Sequence, residues 1–573
     1  MRSRMIEKVL GDHHLEQQLT DIAIDRHQTF GDLHRLASHY IKEIAADIDQ
    51  RVIHVVSWIL SRVFRSLYDR IHIDPARIEE LKATSKQGPL ILVPNHRSHV
   101  DGFLLSYLLH HHGMTVPHIA AGKNLSFWPL GPIFRRGGAY FIRRTFRGNA
   151  VYRAVLETYL RVLVESGVSQ EVFIEGGRSR SGKLGPPRMG MITLLLTAAQ
   201  TANIRHMTFV PVAISYNQVI EQRNYIDELR GKEKRNERPS DIIRATKYLR
   251  GPKHRYGDIH VRFGTPIHAD EIHGSIRERV GSIADHLCYE INRQMVVTPV
   301  SLVAASLLSH GRPGVTREEI LDRANIFLVY LRHKGSPLAD RLTHDAEAAL
   351  MEGLKHLLHM RLIAFHADHV TPYYSIRDDR RLDLDYVKNG VVHFFASLGM
   401  VAAFIVKRSP EIFVPQDCVP EFELCQKLFA NEFRFSTHTN AHERIRQLLE
   451  YLHDAGALDP ADHGRTLLAF TGLIENFVDS YRAGIEALLR MKLPQEERAV
   501  IALMEEEAKK MLLLGIIQRP EALSRWNMKN AIQSFVAMGV VTGEWMDESR
   551  RHRLITPNEV ALKNLKANLE RIF

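Results

Sequence analysis

Cysteine is scarce in this chain of 573 residues, and no apolar run is long enough to span a bilayer. The three cysteines, Cys288, Cys418 and Cys425, are too few and too scattered for a disulfide framework or a CxxC metal knuckle, which predicts a reducing, cytoplasmic compartment. The longest apolar run, Val391–Val406, falls short of the roughly 20 residues that cross a membrane, so we expect a buried helix there. The first thirty residues have no continuous apolar segment, which argues against a secretory signal.

Acidic residues are outnumbered by basic ones. The chain has 76 Lys and Arg against 66 Asp and Glu, a net charge of +10, and its pI is about 9.3. This excess favours an anionic partner, which could be nucleic acid, an anionic lipid surface or a phosphorylated substrate. We find no recognisable nucleic-acid module, and the bases are spread along the chain, so nucleic acid is the least favoured of the three.

The N-terminal region, residues 1–75, has helical periodicity. Apolar residues recur at steps of three and four over Leu33–Leu67, which predicts one amphipathic helix of some nine turns. Arg51, Arg62, Arg65 and Trp58 accompany its second half, so this helix could lie on an anionic membrane or pack on the next domain.

Two further regions follow. Residues 76–295 alternate short apolar runs with helix-length segments, which predicts an α/β domain with a mostly parallel sheet and flanking helices. Residues 296–573 predict a helical C-terminal domain, and the charge run Glu228–Pro239 predicts a solvated loop. The predicted strands are Pro89–Val93, Val116–Ala121, Ala139–Ile142, Glu171–Ile174, Phe209–Ser215 and Ile259–Phe263.

The segment Asn95–Asp101, "NHRSHVD", directly follows the first predicted strand. On one continuous helix His96 and Asp101 would lie about 140° apart and could not meet. If His96 instead lies in the turn that leaves the strand, and Ser98 caps a helix, Asp101 in the first helical turn can reach back to the imidazole. An imidazole oriented by a carboxylate is a general base for a hydroxyl proton.

Two other kinds of site are less favoured. A metal site would use His96, His99 and Asp101, but no further ligand cluster completes it, so we predict no metal. A serine nucleophile is disfavoured because the G-x-S-x-G elbow is absent.

Basic residues follow the next strands. Arg143 and Arg144 end "GGAYFIRR" and could bring guanidinium groups to the same sheet edge as His96. The following segment, "VFIEGGRSRSGK", has the glycines, hydroxyls and cations of an anion cradle, but Leu184 stands where a Walker loop has Ser or Thr, so a nucleotide site is a poor fit. The candidate anion-site residues in that segment are Glu175, Gly176, Arg178, Ser179, Arg180 and Lys183.

Glu175 and one residue outside that segment, Pro211, prompt further expectations. Glu175 among the bases is expected to hold an arginine or to receive a substrate hydroxyl. Pro211 is unexpected inside the strand "FVPVAISY" and predicts a bulge or an edge near a site.

The four blocks "NHRSHVD", "GAYFIRR", "IEGGRSRSGK" and "VPVAISY", in this order, resemble the glycerolipid acyltransferase family with its H-x-x-x-x-D motif. The resemblance is closest to the bacterial membrane-bound glycerol-3-phosphate acyltransferases, with the dihydroxyacetone-phosphate acyltransferases as near relatives. Tyr140 departs from the phenylalanine usual in the second block. The chain is also shorter than the longest bacterial members, which leaves its mode of membrane attachment open.

The resemblance implies the acyltransferase fold and a role for each block. His96 would deprotonate the sn-1 hydroxyl of glycerol 3-phosphate and Asp101 would orient His96. The second and third blocks would bind the phosphate substrate, and Pro211 would lie on the acyl-donor side. Acyl-CoA or acyl carrier protein would supply the acyl group, without a cofactor, at the cytoplasmic face of the inner membrane, where the protein would be peripheral or monotopic.

Two alternatives remain open at this point. The acceptor could be dihydroxyacetone phosphate or lysophosphatidate instead of glycerol 3-phosphate. The chain could also be a basic membrane-surface scaffold with an inactive acyltransferase domain, which the intact pair of His96 and Asp101 argues against.

Overall fold

The structure is a computed structural model that describes residues 2–145, 148–230, 255–367, 371–408, 418–435, 439–546 and 552–573. The chain divides into two compact units. The first unit comprises the described residues within Met1–Arg178, Pro186–Tyr216 and Arg235–Gln294, and the second those within Ser179–Gly185, Asn217–Lys234 and Met295–Phe573.

A central sheet organises the first unit. Its strands are β1 (Ile71–Ile73), β2 (Leu90–Pro94), β3 (His118–Gly122), β4 (Ala139–Ile142), β5 (Gln170–Glu171), β6 (Thr208–Tyr216), β7 (Ile259–Phe263) and β8 (Ile267–His268). The order is β1-β7-β6-β2-β5-β3-β4, with β8 also beside β6. Only β7 and β8 run antiparallel to their neighbour β6 in the part of the sheet that the structure describes, so the mostly parallel sheet predicted from the sequence is confirmed.

All six predicted strands are present, and two have the predicted bounds. Continuous apolar runs made β2 and β6 recognisable, because strands covered on both faces need no polar alternation. The sequence prediction missed β1 and β8, and it placed β5 too late in the chain.

Helices flank this sheet and form the N-terminal region. They are Arg2–Leu10, His13–Arg26, Phe30–Ile44, Gln50–Leu67, Pro75–Ser85, Asp101–His111, Leu130–Arg136, Ala150–Glu165, Met189–Thr201 and Ile276–Gln294.

The single helix predicted over Leu33–Leu67 is wrong, because the helix ends at Ile44 and a second one begins at Gln50. Asp49 caps the second helix by accepting a hydrogen bond from the Arg51 N–H at 2.9 Å. The connection is also held from outside, since the N–H groups of Asp47 and Asp49 donate to carbonyls at the end of the helix Leu130–Arg136. The apolar spacing continues across this break, which is why periodicity did not reveal it.

Pro211 lies in the interior of the sheet, so the edge position, one of the two alternatives expected for it, is wrong. The N–H and C=O of one residue point to the same side of a strand, and the Pro211 carbonyl accepts from Gly264 N at 2.8 Å. The missing N–H therefore faces the gap between β7, which ends at Phe263, and β8, which begins at Ile267. The irregularity lies in the neighbouring strands, and this is how a central strand accommodates the proline.

The second unit is mainly helical, as predicted, with two small antiparallel sheets that were not. The sheets have the orders β10-β11-β9 and β12-β14-β13. Their strands are β9 (Gly314–Val315), β10 (Ile363–His366), β11 (Tyr373–Ile376), β12 (Gln495–Glu496), β13 (Val541–Trp545) and β14 (Arg553–Pro557). The helices are Gln222–Leu229, Pro299–Ser309, Arg317–His333, Asp340–His344, Ala346–His359, Arg381–Lys388, Ala396–Arg408, Val419–Leu428, Ala441–Asp454, Arg465–Thr471, Glu475–Leu489, Glu497–Leu513, Arg525–Ala537 and Glu559–Ile572.

Two sequence expectations fall in the second unit or beside it. The buried helix predicted over Val391–Val406 is present as Ala396–Arg408, preceded by a 3-10 turn at Val392–Phe394. The predicted charged loop begins inside the helix Gln222–Leu229, and residues 231–239 lie outside the described residues. Within the described ranges, no helix is both long and apolar enough to cross a bilayer.

Glu43, at the end of the helix Phe30–Ile44, ties the N-terminal region to the sheet. Its carboxylate accepts from Arg143 Nε at 2.7 Å and NH2 at 2.8 Å, and from Lys123 Nζ at 2.7 Å. The hydrogen bonds from Arg143 are the main cause that lowers the pKa of Glu43 from 4.5 to about 2.

We expect Glu43→Gln to lower the free energy of unfolding by about 1–3 kcal/mol near neutral pH, the usual effect of losing hydrogen bonds to a charged group. Because the folded-state pKa is depressed, this contribution is complete above pH 4.5 and is lost as the pH falls toward 2. Urea unfolding of wild type and variant between pH 3 and pH 7 measures the difference. Glu79→Gln, which removes an exposed pair with Lys82, is the control and should change little; a constant Glu43 effect across the pH range would contradict the assignment.

Candidate active site

The candidate site starts where β2 ends. The Asn95 side chain joins this end to β6, since its Nδ2 donates to Ile214 O at 3.1 Å and its Oδ1 accepts from Ile214 N at 2.7 Å. Asn95 is fully buried, so these bonds replace those that its amide would make with water. They fix the direction in which the chain leaves the sheet toward His96.

Asp101 collects four hydrogen bonds in that turn. Its Oδ2 accepts from His96 Nδ1 at 2.9 Å and from the N–H groups of Arg97 and Ser98 at 2.6 and 2.8 Å. Its Oδ1 accepts from the Tyr216 hydroxyl at 2.5 Å. The side chain is fully buried, so these donors compensate for the loss of water around the carboxylate.

The predicted meeting of His96 and Asp101 is therefore present in the structure. Asp101 is the first residue of the helix Asp101–His111, as expected. Ser98 does not cap that helix, since its hydroxyl accepts from Val100 N within the preceding turn and the N-cap position is Val100. The aspartate itself organises the turn by binding the backbone of the residues before it.

The His96 ring is held on two sides and remains partly accessible. It stacks on Phe173 with ring centroids 4.0 Å apart, and its side chain is 18% exposed. Because Asp101 receives the bond at Nδ1, the neutral tautomer carries its proton there and leaves a lone pair on Nε2. This arrangement can accept a proton from a bound hydroxyl.

Glu175 supports the same turn from the chain that follows β5. Its Oε1 accepts the backbone N–H of His96 at 2.9 Å. This contact is with the main chain, and the expectation that Glu175 holds an arginine or a substrate hydroxyl stays a prediction. Gly176 follows with a φ of +61°, a backbone conformation that favours glycine, and its N–H donates to Phe173 O.

Arg178 lies beside the His96 turn, because its NH1 contacts His99 Nε2 at 2.6 Å. A guanidinium is always a donor, so His99 Nε2 accepts. The lone pair that a metal would need on this nitrogen is therefore directed at a cation, which argues against the His96, His99 and Asp101 metal site. The contact brings one predicted anion-binding arginine to within three residues of the candidate base.

The remaining residues of the predicted anion cradle belong to the second unit, where their polar groups already have partners. Ser179 Oγ donates to Lys183 O at 2.6 Å. Arg180 Nε donates to Glu228 Oε2 at 2.8 Å, with its guanidinium over the Tyr225 ring.

Lys183 is almost fully buried and forms an ion pair with Glu432. Its Nζ also lies 4.0 Å from the centroid of the Phe477 ring. Burial lowers the pKa of Lys183, which the negative charge of Glu432 opposes. The printed contacts of Ser179, Arg180 and Lys183 therefore lie within the second unit, whereas Arg178 belongs to the first. That these residues form one anion cradle stays a prediction.

The Arg143 guanidinium also pairs with a carboxylate of the protein. Arg143 follows β4, three strands from β2, which corresponds to roughly 14 Å at the usual spacing of about 4.8 Å. The two strands do end at the same edge, as predicted, but the Arg143 guanidinium binds Glu43 and lies over the rings of Tyr40 and Tyr152. Arg144 is exposed.

Several residues that organise the site were not singled out from the sequence. Tyr216 ends a predicted strand next to β2, and that position was the available signal for its bond to Asp101. Phe173 was hidden in an apolar run, and nothing local indicated that it supports a histidine. Glu171, whose carboxyl is buried near Asp101, resembled an ordinary polar residue at the start of a strand.

One group of three residues in the described part of the chain has the composition of a metal site, namely His72, Asp258 and His260. The two imidazoles lie directly opposite each other on β1 and β7 and stack with centroids 4.4 Å apart and an interplanar angle of 14°. Rings stacked in parallel direct their lone pairs side by side and not toward a common point. The group also lies apart from β2, since β6 separates β2 from β7, the strand that contains His260.

Comparison with known proteins places these observations in a family. Residues 75–215 match an acyltransferase family model, and residues 225–544, more than half of the chain, match the model of the glycerol-3-phosphate acyltransferase C-terminal region.

Curated relatives are named glycerol-3-phosphate acyltransferase. The protein of Pseudomonas entomophila is 31% identical over 94% of this chain and 68% of its own length, and that of Aeromonas hydrophila is 30% identical over 99% and 72%. A relative from Pseudomonas aeruginosa is 35% identical over 65% of this chain and 46% of its own length.

Among solved structures, the 1-acyl-sn-glycerophosphate acyltransferase of Thermotoga maritima is 14% identical; the match covers 42% of this chain and 88% of that protein, with a TM-score of 0.22. The family model and the relatives from Pseudomonas entomophila and Aeromonas hydrophila together show that this chain belongs to the glycerol-3-phosphate acyltransferase family.

Proposed function

We propose that this chain acylates the sn-1 hydroxyl of glycerol 3-phosphate, with an acyl thioester of coenzyme A or acyl carrier protein as donor and His96 as the general base. Membership of the family supports the acyltransferase activity and the acceptor. The observation that carries the mechanism is the bond from His96 Nδ1 to a fully buried Asp101 carboxylate.

The proposed reaction has two steps. His96 Nε2 takes the proton of the acceptor hydroxyl while the hydroxyl oxygen bonds to the thioester carbonyl carbon. The tetrahedral intermediate then expels the sulfur, which leaves with the proton from the imidazolium as a free thiol. Asp101 stabilises the imidazolium between these steps, and the proposed steps use no metal and no covalent enzyme intermediate.

We assign the phosphate of the acceptor to Arg178. It follows β5, the strand next to β2, and it contacts His99 in the same turn as His96. A guanidinium can donate two parallel hydrogen bonds to a phosphate and keeps its charge at every physiological pH. Arg143 and Lys183 are poorer choices, because Glu43 and Glu432 already neutralise them.

We further propose that the first unit contacts an anionic membrane through one face of the helix Gln50–Leu67. This helix contains no acidic residue. Its exposed residues include Val55, Trp58 and Ile59, and they are flanked by Arg51, Arg62 and Arg65. We call these six residues the tryptophan face.

A second exposed tryptophan directly precedes a helix that contacts Gln50–Leu67. The helix Leu130–Arg136 packs against Gln50–Leu67, and Trp128, just before it, is 83% exposed. Exposed tryptophans accompanied by arginines, here on a helix without acidic residues, are typical of proteins that bind at the interface of an anionic bilayer. This arrangement supports a peripheral attachment.

We expect His96→Ala to lower the rate of lysophosphatidate formation by about 10²–10⁴-fold, the usual contribution of a general base. The assay follows acyl transfer from palmitoyl-CoA to labelled glycerol 3-phosphate. Tyr216→Phe, which removes only the hydroxyl bound to Asp101, should cost much less. His110→Ala is the histidine control, and dihydroxyacetone phosphate is the competing acceptor. Near-normal turnover without His96 would reject the mechanism.

We expect Arg178→Ala to raise the KM for glycerol 3-phosphate about 10-fold or more and to leave the KM for the acyl donor unchanged, since a charged hydrogen bond contributes about 1.5–3 kcal/mol. Arg143→Ala should affect stability more than this KM, because its partner is Glu43. An unchanged KM in Arg178→Ala would remove Arg178 from the phosphate site.

For the membrane proposal, replacing both Trp58 and Trp128 with alanine should weaken sedimentation with vesicles rich in phosphatidylglycerol. The matched control is Trp545→Ala, because Trp545 is also exposed and has Arg553 over its ring, as Trp58 has Arg62. Adding salt should weaken the wild-type binding as well. Equal binding by the double variant and the control would place the membrane contact elsewhere.

A further inference from the structure

Glu171, the last residue of β5, is fully buried, and neither of its carboxyl oxygens has a hydrogen-bond partner among the described residues. Burying such a group lowers the stability of the folded protein, because a buried polar atom without a partner loses the hydrogen bonds that it would make with water. In a protein, positions that break this rule are expected at functional sites.

The surroundings of Glu171 explain why its carboxyl has no hydrogen-bond partner among the described residues and which form of it they favour. The residues aligned with it on the neighbouring strands, Leu92 of β2 and Ile119 of β3, are apolar. On the helix side it lies beneath the first turn of Asp101–His111, since its Oε1 is 3.4 Å from the position that a Cβ on Gly102 would occupy. The charged group that acts on it is Asp101. Burial, followed by the negative charge of Asp101, raises the pKa of Glu171 well above its ordinary value of 4.5.

We propose that Glu171 is a positioning residue of the acyl-transfer site: held as a neutral acid beneath the first helical turn, it supports the His96–Asp101 pair, and its ionisation is what ends activity at alkaline pH. The functional part of this proposal rests on the proposed function of His96.

The physical reason lies in the Asp101 carboxylate. Asp101 is ionised in the arrangement described above, where every bond to it comes from a donor. If Glu171 also lost its proton, two negative charges would share one buried site, and the new charge would have no hydrogen bond. The first helical turn would have to shift or admit water to relieve this cost, and His96 would lose its alignment.

A stability measurement tests the protonation state without any activity assay. A carboxyl whose folded-state pKa is raised destabilises the protein progressively as the pH rises above 4.5, because only the unfolded chain can release the proton. Glu171→Gln cannot ionise, so the urea midpoint of the variant minus that of wild type should increase as the pH rises from 4.5 to 8. A Gln variant that loses stability relative to wild type over that range would show that Glu171 is an ionised, stabilising carboxylate, and would overturn the proposal.

The pH profile of acyl transfer tests the positioning role. We expect wild-type kcat to fall about 10-fold or more on the alkaline side, the order of loss that follows a small misplacement of a catalytic group, while Glu171→Gln retains its neutral-pH kcat there. Coincident alkaline profiles of wild type and Glu171→Gln would reject this role. If the glutamine variant fails to fold, Glu171→Leu also keeps the position neutral at every pH and gives the same test.

The control is Asp479→Asn. Asp479, in the second unit, is another carboxyl whose pKa burial raises, in this case to about 6. The stability of Asp479→Asn relative to wild type should increase with rising pH, but its kcat should fall at alkaline pH as that of wild type does. If kcat of Asp479→Asn also stayed constant at alkaline pH, the assignment to Glu171 would be overturned. A wild-type protein that transfers no acyl group would defeat the proposed function, and with it the positioning role, whereas the stability measurement would still decide whether Glu171 is neutral.

Discussion

The buried carboxylate of Asp101 is the interaction on which the site depends. A fully buried anion is stable only when donors replace its water, and here the donors come from three places: the turn after β2, the imidazole of His96 and the end of β6. Satisfying this one charge therefore fixes the turn, the first residue of the helix Asp101–His111 and the ring of His96 together. Asn95 and Glu175 extend the same network to the backbone on either side.

This dependence explains how much of the site the sequence could predict. The pairing of His96 with Asp101 followed from local spacing, because both residues lie within one strand-to-helix turn. The strands β2 and β6 followed from their apolar runs. The bond from Tyr216 and the stacking of Phe173 depend on which strands become neighbours, and the pattern of a single strand does not contain that information.

The basic residues show most clearly what the sequence could not predict. Arg143, Arg180 and Lys183 have the residue types and spacing of anion-binding groups, yet each pairs with a carboxylate far away in the sequence: Glu43, Glu228 or Glu432. A guanidinium binds a carboxylate with the same fork geometry that it uses for a phosphate, so residue type cannot distinguish a structural ion pair from a substrate site. The division of "GGRSRSGK" between two compact units was equally invisible, because a domain boundary inside a glycine-rich turn has no compositional signal.

Asp101 and Glu171 illustrate why burial alone does not determine the charge of a carboxyl. Both are fully buried in the same unit, but Asp101 faces four donors, whereas Glu171 faces apolar strands and the negative charge of Asp101. The donors favour the anion in the first case, and desolvation together with like-charge repulsion favours the neutral acid in the second. Each state depends on the other, since an anionic Asp101 is one reason for Glu171 to keep its proton, and a neutral Glu171 leaves the donors around Asp101 undisturbed. Two neighbouring carboxyls held in opposite states, one of them hydrogen-bonded to a candidate base, are a pattern expected of an acid–base site and not of an ordinary core.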